Sequence, residues 1–195
     1  MYRLAHWLKD KIPFLWSFIE FLNMLLFRVK YGKKVLSIDD ILYKYQGKYL
    51  IREATLNDLE VILTFFSEQP QETFKYFSPH KFDLETVSRL INNDAYLFFI
   101  VMNDKQMVGY FFLRCFFHGK CFRGKIVDYR WRNRGIAKLM GSISTDVAKH
   151  LGLRIFGTIS KENVTSMASS AAVNEIRVIK NLPNGFLYIE YLPKK

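Results

Sequence analysis

Arg130, Arg132 and Arg134 alternate along a short segment that closes on Gly135-Ile136-Ala137, a pattern suited to holding an anion. Upstream, Ile126-Val127-Asp128 reads as the end of an apolar strand. Downstream, Ile136, Leu139, Met140, Ile143, Val147 and Leu151 recur at helical spacing. The first turn of a helix carries N–H groups with no intrahelical acceptor, at the positive end of the helix dipole. Gly135 can take backbone angles closed to other residues, and with the small Ala137 it leaves room for close approach. Strand, basic turn and helix together make a phosphate-binding construction.

Groups able to move a proton stand close by in sequence. Asp128 ends the strand, Tyr129 follows it, His118 falls in a predicted hairpin turn, and His80 in a loop. Metal chemistry is not expected, because Cys115 and Cys121 are the only cysteines and zinc would need further ligands beside them. They read as plain buried thiols.

Arg132-Asn133-Arg134-Gly135-Ile136-Ala137 resembles the (Gln/Arg)-x-x-Gly-x-(Gly/Ala) signature of GNAT superfamily N-acetyltransferases, whose turn holds the pyrophosphate of acetyl-coenzyme A. The order of elements from Tyr49 to the C-terminus resembles that family too. The resemblance implies the GNAT fold: an α/β domain with a mixed, mostly antiparallel central sheet flanked by helices, here preceded by an N-terminal helical extension. It implies acetyl-CoA as cofactor and a small-molecule amine as acceptor. It further implies that the strands on either side of the signature splay apart around the pantetheine arm. Ile126, Val127 and Asp128 would then line one side, with a backbone N–H near Val127 facing the thioester carbonyl, and Phe156, Gly157 and Thr158 would lie opposite. Arg130, Arg132, Asn133, Arg134, Gly135, Ile136 and Ala137 would meet the pyrophosphate. Asn163-Val164-Thr165-Ser166 resembles the family's N-x-x-(Ala/Ser) helix start, which places Asn163 and Ser166 beside the arm.

Acyl transfer to an amine needs positioning, polarisation of the carbonyl, removal of a proton from the amine and protonation of the leaving thiolate. Family members often supply that last proton from a tyrosine seven residues after the asparagine; here the position is Ser170. Tyr129, Tyr188 and Tyr191 are the nearest alternatives by strand order, and Asp128, His118 and His80 are candidate bases. The catalytic set expected from sequence is Asp128, Tyr129 and His118. A different class of function, a non-catalytic acyl-CoA-binding or scaffold protein at a membrane surface, agrees with Ser170 and the lack of an obvious base.

These residues need a frame to position them. Tyr49 to Glu53 reads as a first strand, and Thr55 with Asp58 three residues on as the cap of a helix through Phe66. Gln69 to His80 is a loop or short helix, and Asp83 to Ile91 a second helix. In the family such an insert shapes the acceptor pocket. Ala95 to Met102, Gln106 to Phe117 and Lys120 to Val127 read as antiparallel strands joined at Asn103-Asp104 and His118-Gly119. After the signature helix, stopped by Gly152, come a strand from Leu153 to Thr158, a helix from Ser160 to Ala171, and a hairpin of Ile176 to Ile179 with Gly185 to Tyr191.

The chain of 195 residues is half hydrophobic and 16% aromatic, which excludes a disordered protein. Its net charge of +11 points to anionic partners. Nine basic and four acidic residues fall in positions 1–48, so the extension carries +5 of that charge and the rest of the chain +6. A single basic nucleic-acid-binding arm is not favoured, and no nucleic-acid partner is expected. The expected domains are a basic, aromatic helical extension at 1–34, a connecting segment at 35–48 and the acetyltransferase domain at 49–195, with Gly32-Lys33-Lys34 as the break. The extension is dense in large apolar residues from Leu4 to Phe27, but Pro13, Glu20 and Asn23 interrupt it, so it reads too broken to span a bilayer. Lacking a small-residue cleavage site, it does not read as a cleaved leader either. Basic flanks suit peripheral contact with the inner face of a membrane, and packing on the domain or on a second subunit, as a homodimer, suits the composition equally. The expected location is cytoplasmic.

Overall fold

The structure, a computed structural model, describes residues 13–194. Leu4, Trp7 and Leu8 of the apolar stretch, with Arg3, Lys9 and Lys11, lie outside the described residues. In chain order the elements are α1 (Pro13–Val35), α2 (Ile38–Tyr43), β1 (Leu50–Glu53), α3 (Leu59–Ser67), α4 (Leu84–Ile91), β2 (Tyr96–Asn103), β3 (Gln106–Phe116), β4 (Lys120–Val127), α5 (Ile136–Leu151), β5 (Arg154–Ser160), α6 (Val164–Ala171), β6 (Asn174–Asn181) and β7 (Phe186–Pro193). Thr55 and Asp58 form the expected capping box ahead of α3, through one intervening 3-10 turn. Arg52 adds a bidentate ion pair at 2.6 and 2.7 Å that pulls the Asp58 carboxyl down to about 2.

The strands form one seven-stranded sheet in the order β1-β2-β3-β4-β5-β7-β6. β2 shows why it is central. Leu97, Phe99 and Val101 enter a core shared with α1, α2 and α5, while Tyr96, Phe98, Ile100 and Met102 enter a second core with α3 and α4. A strand buried on both faces cannot alternate apolar with polar residues, which explains its unbroken apolar run. α5 seats on β3 over Gly109, where a Cβ would meet Met140 Sδ at 3.2 Å and Ile136 at 3.3 Å.

All neighbouring strands run antiparallel except β4 and β5, which pair in parallel over only Lys120–Phe122 and Arg154–Phe156. Beyond that point β4 stays bonded to β3 as far as Val127, and β5 to β7 as far as Ser160. The sheet therefore opens into a fork at its middle.

The helix α1 runs through Gly32-Lys33-Lys34, so no break in structure falls there, and the segment expected only to connect contains α2. Phe27 and Tyr31 are buried in the main core with Ile38, Ile41 and Leu42. Asn23 adds a polar clamp, donating to the Cys115 carbonyl at 2.9 Å and accepting from the Phe117 N–H at 3.2 Å. The opposite face of α1 is exposed among the described residues: Phe14, Phe18, Phe21 and Val29 are 84%, 50%, 52% and 88% exposed. No helix among the described residues is long and apolar enough to cross a membrane.

Phe27→Ala should cost about 3 to 5 kcal/mol of unfolding free energy, whereas Phe18→Ser should change it by no more than about 0.5 kcal/mol. Urea titration of both variants compares the packed and bare faces of one helix.

Candidate active site

The fork exposes backbone as well as side chains. At its closed end the Gly119 carbonyl accepts from Arg154 on the β5 side, and at the open end the Asp128 N–H donates to Val108 on β3. With the period of two along a strand, the backbone groups of Arg123, Lys125 and Val127 point toward β5, where pairing has ceased. An extended chain carrying amide groups can bond there as an added strand would.

The open end of β4 leads into the basic turn. Asn133 and Gly135 have φ of 62° and 82°, while Arg134 between them keeps a negative φ. Left-handed geometry at Gly135 starts α5 abruptly and leaves the N–H groups of its first turn facing outward. Arg132, Asn133, Arg134 and Gly135 are exposed; the Ile136 side chain is buried against Gly109, and Ala137 is half-buried. Arg134 stacks 4.6 Å over the Trp131 ring. Arg132 donates to Thr73 Oγ1 at 2.9 Å.

Arg130 is committed elsewhere. Asp128, with no exposed surface, accepts from the Arg130 backbone N–H at 2.8 Å, from Nε at 3.0 Å and from Nη2 at 2.8 Å, and from Gln69 Nε2 at 3.3 Å. Arg130 also pairs with Glu68. Burial alone would raise the Asp128 carboxyl, but the Arg130 hydrogen bonds outweigh it and hold the group below the usual carboxylate range. Asp128 is thus a fixed anion at the root of the turn, and two carboxylates already balance the Arg130 charge. Tyr129, 43% exposed, is anchored by its N–H to Gln69 Oε1 at 3.1 Å.

The segment after α3 touches both prongs. Glu68, Gln69 and Thr73 hold the β4 side, while Lys75 and Tyr76 each donate to Glu162 beyond β5 at 3.1 Å. Such contacts join residues 59 to 87 positions apart, so no local pattern announced them. Ile126 points into the α3–α4 core and Val127 packs against the core under α5. At the closed end, Phe156 and Tyr188 stack at 5.5 Å, with Lys120 and Arg154 at 5.7 and 5.1 Å from the Phe156 ring.

His118 is not gathered with the rest. It lies in the turn that opens β4, whose eight residues, about 26 Å at roughly 3.3 Å each, separate it from Asp128, and it lines a cavity of about 380 Å³ beneath α1. His80 Nδ1 donates to the Lys81 carbonyl at 2.7 Å and its Nε2 bonds Tyr110 Oη at 3.0 Å, and burial lowers its pKa. Asn163 caps α6, accepting from the Ser166 N–H at 3.0 Å. Ser170 Oγ is buried with no partner, and the Tyr191 ring lies 3.6 Å from the Arg123 guanidinium. Cys115 and Cys121 face each other across β3 and β4 as free, buried thiols. Among the described residues no group of three or more metal-ligating side chains comes together.

A mixed sheet of this order, forked at its parallel pair and with a helix starting at the fork's mouth, is the GNAT fold. Solved structures agree in fold. The GNAT domain of S. lividans PAT superposes with a TM-score of 0.65 at 16% identity, over 74% of this chain and 90% of that one. The PaiA N-acetyltransferase of Thermoplasma acidophilum in complex with coenzyme A gives 0.64 at 16% identity, over 75% and 99%. Mycobacterium smegmatis RimJ in complex with CoA-disulfide gives 0.61 at 17% identity, over 73% and 80%. No protein-family model matches the sequence, and no curated protein matches it.

Asp128→Asn should lower stability by about 1 to 3 kcal/mol at pH 7, the cost of a buried charge network broken on one side. Because the folded pKa is depressed, the parent's advantage is fully present above the unfolded value of about 4 and is lost as pH falls through the lower folded value. Denaturation at pH 7, 5 and 3 should show a constant gap that narrows only at the last.

Proposed function

We propose that this chain is an acetyl-CoA-dependent N-acetyltransferase acting on a small-molecule amine. The observation that carries the reading is the fork, whose unpaired β4 backbone ends at a basic, glycine-closed helix start. The residues fit an acyl-CoA: Arg132, Arg134 and the N–H groups of the first turn of α5 would hold the pyrophosphate, and the β4 backbone would bond the amides of the arm, between Ile126–Asp128 and the Asn163–Ser166 start of α6. Bound acetyl-CoA supplies an activated acetyl group. The Val127 N–H, which faces the gap of the fork, would polarise its carbonyl. Asp128 holds the turn rather than taking a proton, since Arg130 saturates it, and the amine would lose its proton to solvent. His118, at the far end of β4, takes no part.

For the acceptor, an amino sugar on a nucleotide or lipid carrier suits the site's closed end: the half-buried Tyr188 ring, stacked on the buried Phe156, offers a flat apolar platform, with Lys120 beside it for a phosphate. The segment from Glu68 to Tyr76 bridges the tips of the two prongs, where it would border the acceptor's approach and set specificity. The bare face of α1 favours peripheral contact with an anionic bilayer. Its C-terminal end carries Arg28, Lys30, Lys33 and Lys34, and its one acidic residue, Glu20, is paired with Arg89 and Arg114. The same charge repels a second copy of the helix, which weakens the homodimer reading.

Calorimetric titration with acetyl-CoA should show binding to the parent, about ten-fold weaker binding to Arg132→Ala (roughly 1.4 kcal/mol) and none to Gly135→Trp. No binding by the parent would overturn the cofactor reading. Binding without turnover on nucleotide sugars, polyamines or peptides would favour the non-catalytic acyl-CoA-binding protein, and activity confined to uncharged or cationic amines would overturn the anionic-carrier acceptor. Cosedimentation with vesicles should need anionic lipid and be lost in a Phe14→Ser, Phe18→Ser, Phe21→Ser triple variant; equal binding to neutral vesicles, or a stable dimer in solution, would count against the bilayer.

A further inference from the structure

Two cations lie under the fork without a counter-ion. Arg123 and Lys125 are two apart on β4, so their side chains share the face that α5 and α6 cover. Arg123 is buried; its Nη1 donates to the Gly141 carbonyl at 3.2 Å and to Asn174 Oδ1 at 3.0 Å, while Nε and Nη2 have no acceptor. Lys125 Nζ donates to the Ala137 carbonyl on α5 at 2.8 Å and to Ser169 Oγ on α6 at 3.2 Å. Its head group thus spans the two helices that follow the two prongs. A Cβ on Gly141 would lie 3.6 Å from Nζ and 3.8 Å from Arg123 Nη1, so the two charges are close neighbours. Among the described residues no carboxylate reaches either within salt-bridge distance.

Burying like charges together is costly unless an anion joins them or one of them gives up its proton. Lys125 is only half-buried, and one of its three N–H groups is uncommitted. Its own backbone faces the gap of the fork, so a ligand lying along β4 passes beside it. We propose that Lys125 is the acid that protonates the departing thiolate in the transfer proposed above, on which this assignment rests. As the amine nitrogen bonds to the acetyl carbon, the carbon–sulfur bond breaks and its electron pair stays on sulfur. Nζ then gives sulfur its proton and is left as the neutral amine, which recovers a proton from solvent as the product nitrogen releases one. Burial, and then the Arg123 charge, bring Lys125 down to about 7, where it can both give and regain a proton near neutrality. Arg123 is the charged group bearing on it; α5 faces it with the Ala137 carbonyl and Gly141, and α6 carries no titratable side chain.

Trace acetic anhydride at pH 7 acylates amines that are neutral there, and peptide mass spectrometry reads the labelling without turnover. In the parent, saturating coenzyme A should slow the labelling of Lys125 by about ten-fold or more while leaving that of the exposed Lys105 unchanged. Lys125→Met should lower kcat on the best amine by about 100-fold or more, with the affinity for acetyl-CoA within about three-fold. Lys125→Arg should bind acetyl-CoA but not restore kcat, since a guanidinium does not release its proton. Labelling of Lys125 that bound coenzyme A leaves unchanged, full activity in Lys125→Met, or rescue of kcat by Lys125→Arg would each overturn this assignment alone. Failure of the parent to bind coenzyme A would overturn the acetyl-transfer reading and this with it.

Discussion

A parallel strand pair that closes over three residues and then parts is the constraint on which the rest of this molecule depends. Two strands of one sheet tend to zip along their length, because each unpaired backbone group forfeits a hydrogen bond. Here each prong is bonded on its outer side, β4 to β3 and β5 to β7, and is tied at its tip to the segment following α3. The ties differ in strength. Lys75 and Glu162 are 63% and 70% exposed, so their ion pair contributes at most about 1 kcal/mol. Asp128 has no exposed side-chain surface, and the charged hydrogen bonds it accepts from Arg130 cannot be exchanged for water without disrupting the turn. The β4 tip is therefore the fixed jaw and the β5 tip the softer one.

That asymmetry bears on how the basic turn works. Of its three arginines, Arg130 is spent on the scaffold, which leaves Arg132 and Arg134 exposed for an incoming anion. Beneath the fork the balance is reversed. Arg123 and Lys125 have neutral partners only, so the interior of the site carries positive charge that the surface of the turn, with Glu68 and Asp128 at hand, partly hides. A ligand that is anionic at one end and develops negative charge at its reacting atom would meet cations at both places.

α1 shows how one helix can serve two environments. Its buried stripe, through Asn23, Phe27 and Tyr31, makes it part of the domain core rather than an appendage, while Phe14, Phe18 and Phe21 are half or more exposed. Composition alone treats these phenylalanines alike; only the side that β3 occupies tells them apart.

Much of the frame was legible in the chain. The apolar runs of β2, β3 and β4, the Thr55–Asp58 cap and the helical spacing after Gly135 each follow from contacts within a few residues, and local sequence encodes such contacts directly. The strand-to-helix turn was legible for the same reason: a glycine with positive φ among arginines is a local statement. What sequence left open was which charged groups are free. Arg130, two residues on, holds Asp128 as an anion, but the burial that makes it an anchor comes from remote segments such as Gln69, 59 residues away. His118 and Asp128 stand ten positions apart yet at opposite ends of one strand, because an extended chain converts sequence separation into distance instead of folding it away. Lys125 looked like an ordinary strand lysine until α5 and α6 closed over it. Sequence determined the elements and the phosphate-binding turn, because those are set by backbone propensity and periodicity; the tertiary structure decided which cations are neutralised and which are left waiting, because charge balance is a property of neighbours in space.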